Sequence, residues 1–234
     1  MLTLYSYPEL FGVVDNNPFG LKVYAFLRLC GVGFQHRHIL DASSAPHGQL
    51  PYLLDGTQAI DDSDTIIEHV ARKLGLDTQE ILSPREESLD LLLRRTLDDL
   101  YWPMSYSRWR DDRCWPAFRD AFLTRHPDIP ANDLDRAREY NRLRYHYQGI
   151  GRYEPDRIYA RGIEDLRGVA DLLDERQFCH GEVPTRTDAA IYGFVANIFL
   201  YDIETPLKQY VQSRPNLVRH CLAMHDRVSA ARPG

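Results

Sequence analysis

The four cysteines of this 234-residue chain, Cys30, Cys114, Cys179 and Cys221, form no C-x-x-C pair and no Cys/His cluster. That spacing excludes a zinc knuckle and a dithiol redox motif. The nine histidines contain no H-x-x-x-H pair, so no metal site is expected. A basic excess is also lacking. Lys and Arg number 28 against 34 Asp and Glu, giving a net charge of -6, and nucleic-acid binders usually carry positive charge. No apolar run approaches the roughly 18 residues of a membrane span. MLTLYSY opens the chain without a basic stretch leading into an apolar one, so no secretory leader is expected. Isolated thiols suit a reducing compartment, and a cytoplasmic location is expected.

What is present is ordinary globular composition, 44% apolar and 26% charged, at a length that allows one large domain or two modest ones. The first 75 residues alternate in type. Leu2–Tyr7 and Phe34–Leu40 read as strands, as do Pro51–Leu54 and Gln58–Ile60 around the Asp55-Gly56 turn. Between the first two lies a helix over Asn17–Val32, with Asn17 as cap, Pro18 in the first turn and Gly31 at the end. Ser63–Leu74 is a second helix. After a polar linker, 76–85, no strand pattern recurs. Helical patterns cover Glu86–Asp111, Trp115–Thr124, Asp133–Tyr147, Pro155–Arg176, Thr187–Leu200, Glu204–Ser213 and Pro215–Ala230. Pro103 inside the first of these predicts a kink or break. Arg138, Arg142, Arg144 and His146 read as a solvated basic face.

The stretch HGQLPYLLDGTQAIDDSDTIIEHV carries the most specific signal. Pro51 cannot donate a ladder bond, so it belongs at a strand start, an edge or a cis turn. Asp62 and Ser63 precede a helix as caps do. G-Q-L-P at Gly48–Pro51, D-G at Asp55-Gly56 and D-S-D-T-I-I at Asp62–Ile67 resemble the glutathione-site pattern of the glutathione transferase superfamily. P-T-x-x-D-A at Pro184–Ala189 is a second signature, with Thr185 and Asp188 at capping-box spacing. The Asn17–Val32 and Leu100–Trp109 stretches, with Gln148–Arg152 and Glu204–Leu217, resemble bacterial relatives of the failed axon connections/metaxin branch.

The resemblance implies a thioredoxin-like α/β domain over 1–75 and an all-helical domain over 86–234. It implies a cis Leu50–Pro51 bond, with the Leu50 backbone pairing to the cysteinyl part of glutathione by strand addition. Ser63 and the helix N-terminus would take the γ-glutamyl carboxylate, Asp62 the α-amino group, and Gln49 a further hydrogen bond at that end. Ser- and Cys-type members place their thiol-activating donor where this chain has Asn17. That residue reads equally as a plain cap or as a cap whose amide also meets the thiolate, and Gly20 removes the second cysteine of a glutaredoxin-like pair. Tyr5, Ser6 and Tyr7 are alternative donors. Tyr101, Trp102, Tyr106 and Trp109 are candidates for a second-substrate pocket, with Trp102, Tyr106 and Trp109 sharing a face. The expected partners are glutathione as cosubstrate, a hydrophobic electrophile and a second copy of the chain, with no metal. A non-catalytic binding or scaffold protein is the first alternative; a glutathione-dependent reductase or dehalogenase without an enzyme cysteine is the second.

Overall fold

A computed structural model describes residues 1–76 and 82–230. The chain forms a small sheet with helices, followed by helices alone. The sheet is built from β1 (Leu2–Ser6), β2 (Phe34–His38), β3 (Tyr52–Asp55) and β4 (Gln58–Asp61), in the order β2-β1-β3-β4. β1 runs parallel to β2 and antiparallel to β3, and β3 pairs antiparallel with β4. α1 (Pro18–Leu29) is the crossover between the parallel strands, and α2 (Ser63–Lys73) follows β4 directly. This is the thioredoxin-like arrangement expected from the sequence.

Seven helices follow: α3 (Pro84–Trp109), α4 (Trp115–Arg125), α5 (Ala131–Gln148), α6 (Pro155–Leu173), α7 (Arg186–Phe199), α8 (Pro206–Gln212) and α9 (Pro215–Ala230). Of the expected linker, residues 77–81 lie outside the described residues. Its end is already helix. The Ser83 side chain accepts from the Glu86 N–H while Glu86 accepts from the Ser83 N–H at 2.7 Å, a capping box with Pro84 in the first turn. Hence α3 begins two residues before the expected Glu86.

Pro103 does not break α3, which runs on for 26 residues. Its ring lies against α6 at Gly162, where a Cβ would approach it to 2.6 Å. The missing N–H is tolerated because the ring itself is buried between helices. The basic face on α5 is likewise corrected. Arg138 lies over the Trp115 ring at 4.4 Å and Arg144 over Trp102 at 5.3 Å, so both guanidiniums are packed on aromatic faces rather than solvated.

α1 has two buried faces because α7 covers the one turned from the sheet, its most extensive helix contact. α7 is buried almost throughout, from Thr187 to Ile198. At Gly193 a Cβ would stand 2.5 Å from the Pro18 carbonyl, so only glycine permits this approach. The start of α7 is fixed by Asp188, which accepts from Thr185 N–H at 2.7 Å, Cys179 N–H at 2.7 Å and His220 Nε2 at 3.0 Å. Burial opposes the charge, but these bonds hold the carboxyl below its ordinary range. Asp188→Ala is expected to cost about 3–5 kcal/mol, since it strands a buried imidazole and two N–H groups. Urea denaturation measures this; a loss under 1 kcal/mol would contradict it.

Candidate functional site

The register gathers the functional candidates at one end of the sheet. Tyr5 faces Tyr52, which faces Asp61. Continued one or two steps, Ser6 and Tyr7, Leu50 and Pro51, and Asp62 and Ser63 share that edge. α1 and α2 both begin there, so two sets of unpaired helix N–H groups converge. The Leu50–Pro51 peptide is cis. Leu50 stands outside the β3 ladder, and among the described residues no hydrogen bond reaches its N–H or C=O. Gln49 is exposed, whereas the Leu50 and Pro51 side chains are buried.

Asp62 caps α2. Its Oδ1 accepts from Asp64 N–H at 3.1 Å, Thr65 N–H at 3.0 Å and the Thr65 hydroxyl at 3.2 Å. Its φ of 64° lies where glycine is favoured, a cost of about 1–3 kcal/mol typical of functional positions. Ser63 is buried, and Lys22 Nζ donates to its hydroxyl oxygen at 3.3 Å. Lys22 also binds Asp64, which binds Arg94, which in turn donates to Asp90 at 3.1 Å. This relay ties α1 and α2 to α3 beneath a groove of about 600 Å³ lined by Phe19, Asp62, Ser63, Thr65, Arg95 and Asp98, among others.

A second cavity, of about 810 Å³, opens beside the first turn of α1. Its walls come from both parts of the chain: Tyr7, Asn17 and Gly48 on one side, and Tyr101, Arg108, Trp109 and Arg144 on the other. Asn17 Oδ1 accepts from Phe19 N–H at 2.9 Å as a cap, and among the described residues its Nδ2 has no partner. Tyr7 lines the cavity with a phenol pushed up to about 12 by burial and then by Tyr101, so it remains a donor. Tyr5 instead stacks on Tyr52 at 4.5 Å, and the Ser6 hydroxyl pairs with His36 at 2.7 Å.

The expected aromatic pocket needs correction. Tyr101 and Trp109 line the cavity with Ser105 and Arg108, but Trp102 and Tyr106 do not. Tyr106 packs edge-on between Tyr145 and Tyr159, and Trp102 against Tyr145. Trp109 lies near Trp102 on the helix face, yet it reaches the cavity with Tyr101 and Ser105 while Trp102 and Tyr106 pack away from it. Arg108 has no local signal in the sequence, because a charge on a helix usually faces water.

The family model of the glutathione S-transferase N-terminal domain matches residues 18–114, and that of its C-terminal domain matches 162–224. An isoprene-epoxide glutathione S-transferase from Rhodococcus sp. strain AD45 is 30% identical over 93% of this chain and 95% of its own length. This chain belongs to the glutathione S-transferase superfamily. Failed axon connections of Drosophila melanogaster is 24% identical over 97% of the chain and 58% of its own length; metaxin-3 of Xenopus laevis is 22% identical over 94% and 74%. A beta-etherase from Sphingobium matches in fold with a TM-score of 0.61 at 13% identity, covering 98% of both chains.

Within this transferase fold, Asn17 occupies a cap position and lines the cavity, and Gly20 has its own reason. A Cβ there would collide with the Asp15 carboxyl. The described residues contain no cluster of three or more metal-ligating side chains, and no helix among them is long and apolar enough to cross a membrane.

Lys22 generates a pH prediction. Against the cost of burial, Lys22 and then Arg94 hold the Asp64 carboxyl below its ordinary range. A depressed carboxyl adds stability above its unfolded pKa near 3.9 and loses it as pH falls through the lower folded value. Lys22→Met is expected to cost about 2 kcal/mol at pH 7 and to flatten the decline below about pH 4. Urea denaturation across pH reads both; an unchanged acid slope would dismiss the coupling.

Proposed function

We propose that this transferase-family chain binds glutathione and conjugates its thiolate to a small, largely apolar electrophile. The observation that carries the reading is the unengaged Leu50 backbone at the sheet end where α2 begins with Asp62 and Ser63. An extended tripeptide adds there as a short strand. Its γ-glutamyl carboxylate meets the Ser63 hydroxyl and the α2 N-terminus, where helix dipole and free N–H groups favour an anion. Its α-amino group meets Asp62. The thiol then points toward Asn17 and the larger cavity, which supplies room for the second substrate.

The similarity to a relative named for isoprene epoxide supports an epoxide as the electrophile. Sulfur bonds to a ring carbon, the C–O bond breaks, and the oxygen takes a proton from water. The reaction needs no metal or redox cofactor. A homodimer and a cytoplasmic location belong to the same proposal; exposed Leu91 and Leu92 on α3 support a partner surface. Non-catalytic binding is the second reading, favoured by Asn17 spending its carbonyl on the cap.

Calorimetric titration with glutathione followed by turnover of a small epoxide tests both. Binding with an S-conjugate formed above the solution rate is expected. Binding without turnover selects the scaffold reading, and glutathione disulfide as product selects a reductase.

Asp62→Asn separates charge from cap, because Asn caps well and tolerates positive φ. It is expected to weaken glutathione binding by about 1–3 kcal/mol with little loss of stability. Asp62→Ala is expected to lose both. Unchanged calorimetric affinity in Asp62→Asn would remove the contact with the amino group.

A further inference from the structure

Arg108 is 3% exposed and lines the same cavity as Asn17 and Tyr7. Its Nε donates to Asn16 Oδ1 at 3.2 Å, one terminal nitrogen to the Met104 carbonyl at 3.3 Å, and the other to the Asn197 carbonyl at 2.7 Å. The Tyr201 ring lies 4.3 Å from the guanidinium carbon. Every acceptor is neutral. Among the described residues no carboxylate forms an ion pair with it. The titratable groups around it are the phenols of Tyr101, Tyr145, Tyr159 and Tyr201, and those of Tyr145, Tyr159 and Tyr201 are pushed up by burial and stay uncharged.

Asp15 is the buried carboxyl on the loop that Arg108 grips, and Asn197 Nδ2 donates to its backbone carbonyl at 3.3 Å. Its side chain accepts from Asn17 N–H at 2.8 Å, yet burial raises its pKa well above the ordinary range. Among the described residues no ion pair joins this carboxyl to Arg108, whose guanidinium meets neutral acceptors only. A buried ion without a counter-ion is expensive, and such expense is tolerated where the charge has a use.

Building on the glutathione reading above, we propose that the uncompensated charge of Arg108 stabilises the bound glutathione thiolate. It thereby takes over the task that a hydroxyl or thiol at position 17 performs in Ser- and Cys-type members. The thiol proton leaves to water and the sulfur keeps its electron pair. Arg108 acts as a positioning and electrostatic residue: it holds the Asp15–Asn17 loop through Asn16 and sets the field across the cavity. An opposite charge at close range shifts an acid by about 1–3 pH units, so the bound thiol is expected to titrate that far below the free one.

The test is ultraviolet absorbance of the thiolate against pH, run on glutathione complexes whose affinity is fixed by calorimetry. Two variants divide charge from scaffolding. Arg108→Lys keeps the charge and loses the fork of hydrogen bonds; Asn16→Asp keeps the fork and cancels the charge. The proposal expects Arg108→Lys to retain most of the lowered titration. It expects Asn16→Asp to raise it by about one pH unit, or about tenfold less thiolate at pH 7. A purely structural arginine gives the reverse order, which would overturn the proposal. Arg108→Gln is expected to match or exceed Asn16→Asp; if it does not fold, Asn16→Asp decides. No binding heat with the unaltered protein overturns the glutathione reading and this inference together. Binding with an unmoved titration in Asn16→Asp overturns this inference alone.

Discussion

The approach of α1 to α7 at Gly193 is the constraint on which the remaining structure depends. With no side chain at 193, the first turn of α1 rests on the backbone of a buried helix, and the Pro18 carbonyl occupies the space a Cβ would fill. That contact fixes the N-terminus of α1 against the helical part of the chain. Asn17 is thereby placed on a cavity whose far wall is α3 and α5. α1 carries apolar residues on both faces for the same reason: Leu21, Val23, Phe26 and Leu27 are all buried, some against the sheet and others against α7. A helix with a single buried face would leave the cavity without its near wall.

Charge is buried twice around this helix, on opposite terms. Lys22, Asp64, Arg94 and Asp90 form an alternating series in which each ion has a partner, and Arg186 joins Asp90 at 2.9 Å. A satisfied series costs little beyond desolvation and binds α1, α2, α3 and α7 in one geometry. Arg108 has only neutral acceptors. The paired series lies under the Ser63 end of the sheet edge, where rigidity suits the proposed carboxylate recognition. The unpaired ion lies on the cavity at the Asn17 end, where a net field suits a developing anion.

Most of the fold was legible because its signals are local. Caps, the Asp55-Gly56 turn and apolar periodicity fix element type within one or two turns of chain, and α9 falls at Pro215–Ala230 as the pattern indicates. The misreadings involve residues whose role depends on a distant partner. Pro103 signals a kink or break, and that the helix is not broken is understood only once Gly162 is known to lie opposite it. Spacings of three and four on α3 group the aromatic residues, but only the packing of Tyr106 between Tyr145 and Tyr159 shows which of them reach the cavity. Ser83, Pro84 and Glu86 were a local helix start hidden in a stretch that reads as linker. Gly48–Pro51 and Asp62–Ser63 could be placed together from sequence because their residue types answer to backbone geometry, and the structure brings them to one end of the sheet. Tyr7 could not be told from Tyr5 and Ser6 as a donor, and Arg108 gave no signal, because a tyrosine ending a strand and an arginine on a helix acquire meaning only from what surrounds them.

Under the proposed function, position 17 keeps its role as a helix cap while the thiolate is served by other groups. A cap must offer an acceptor to the helix, and Ser, Cys and Asn differ in what remains for the ligand. With its carbonyl on the Phe19 N–H, Asn17 keeps an amide donor but has no acidic or nucleophilic atom. Gly20 cannot supply a thiol, because Asp15 fills the space beside it. Any stabilisation of a thiolate must then come from fixed charge and from helix N–H groups rather than from a reacting side chain. Such stabilisation is strongest where water is excluded and the charge is already in place. The neutral-acceptor nest around Arg108 has both properties. An amide at position 17 is therefore compatible with the proposed conjugation chemistry, and it offers no cysteine for a mixed disulfide.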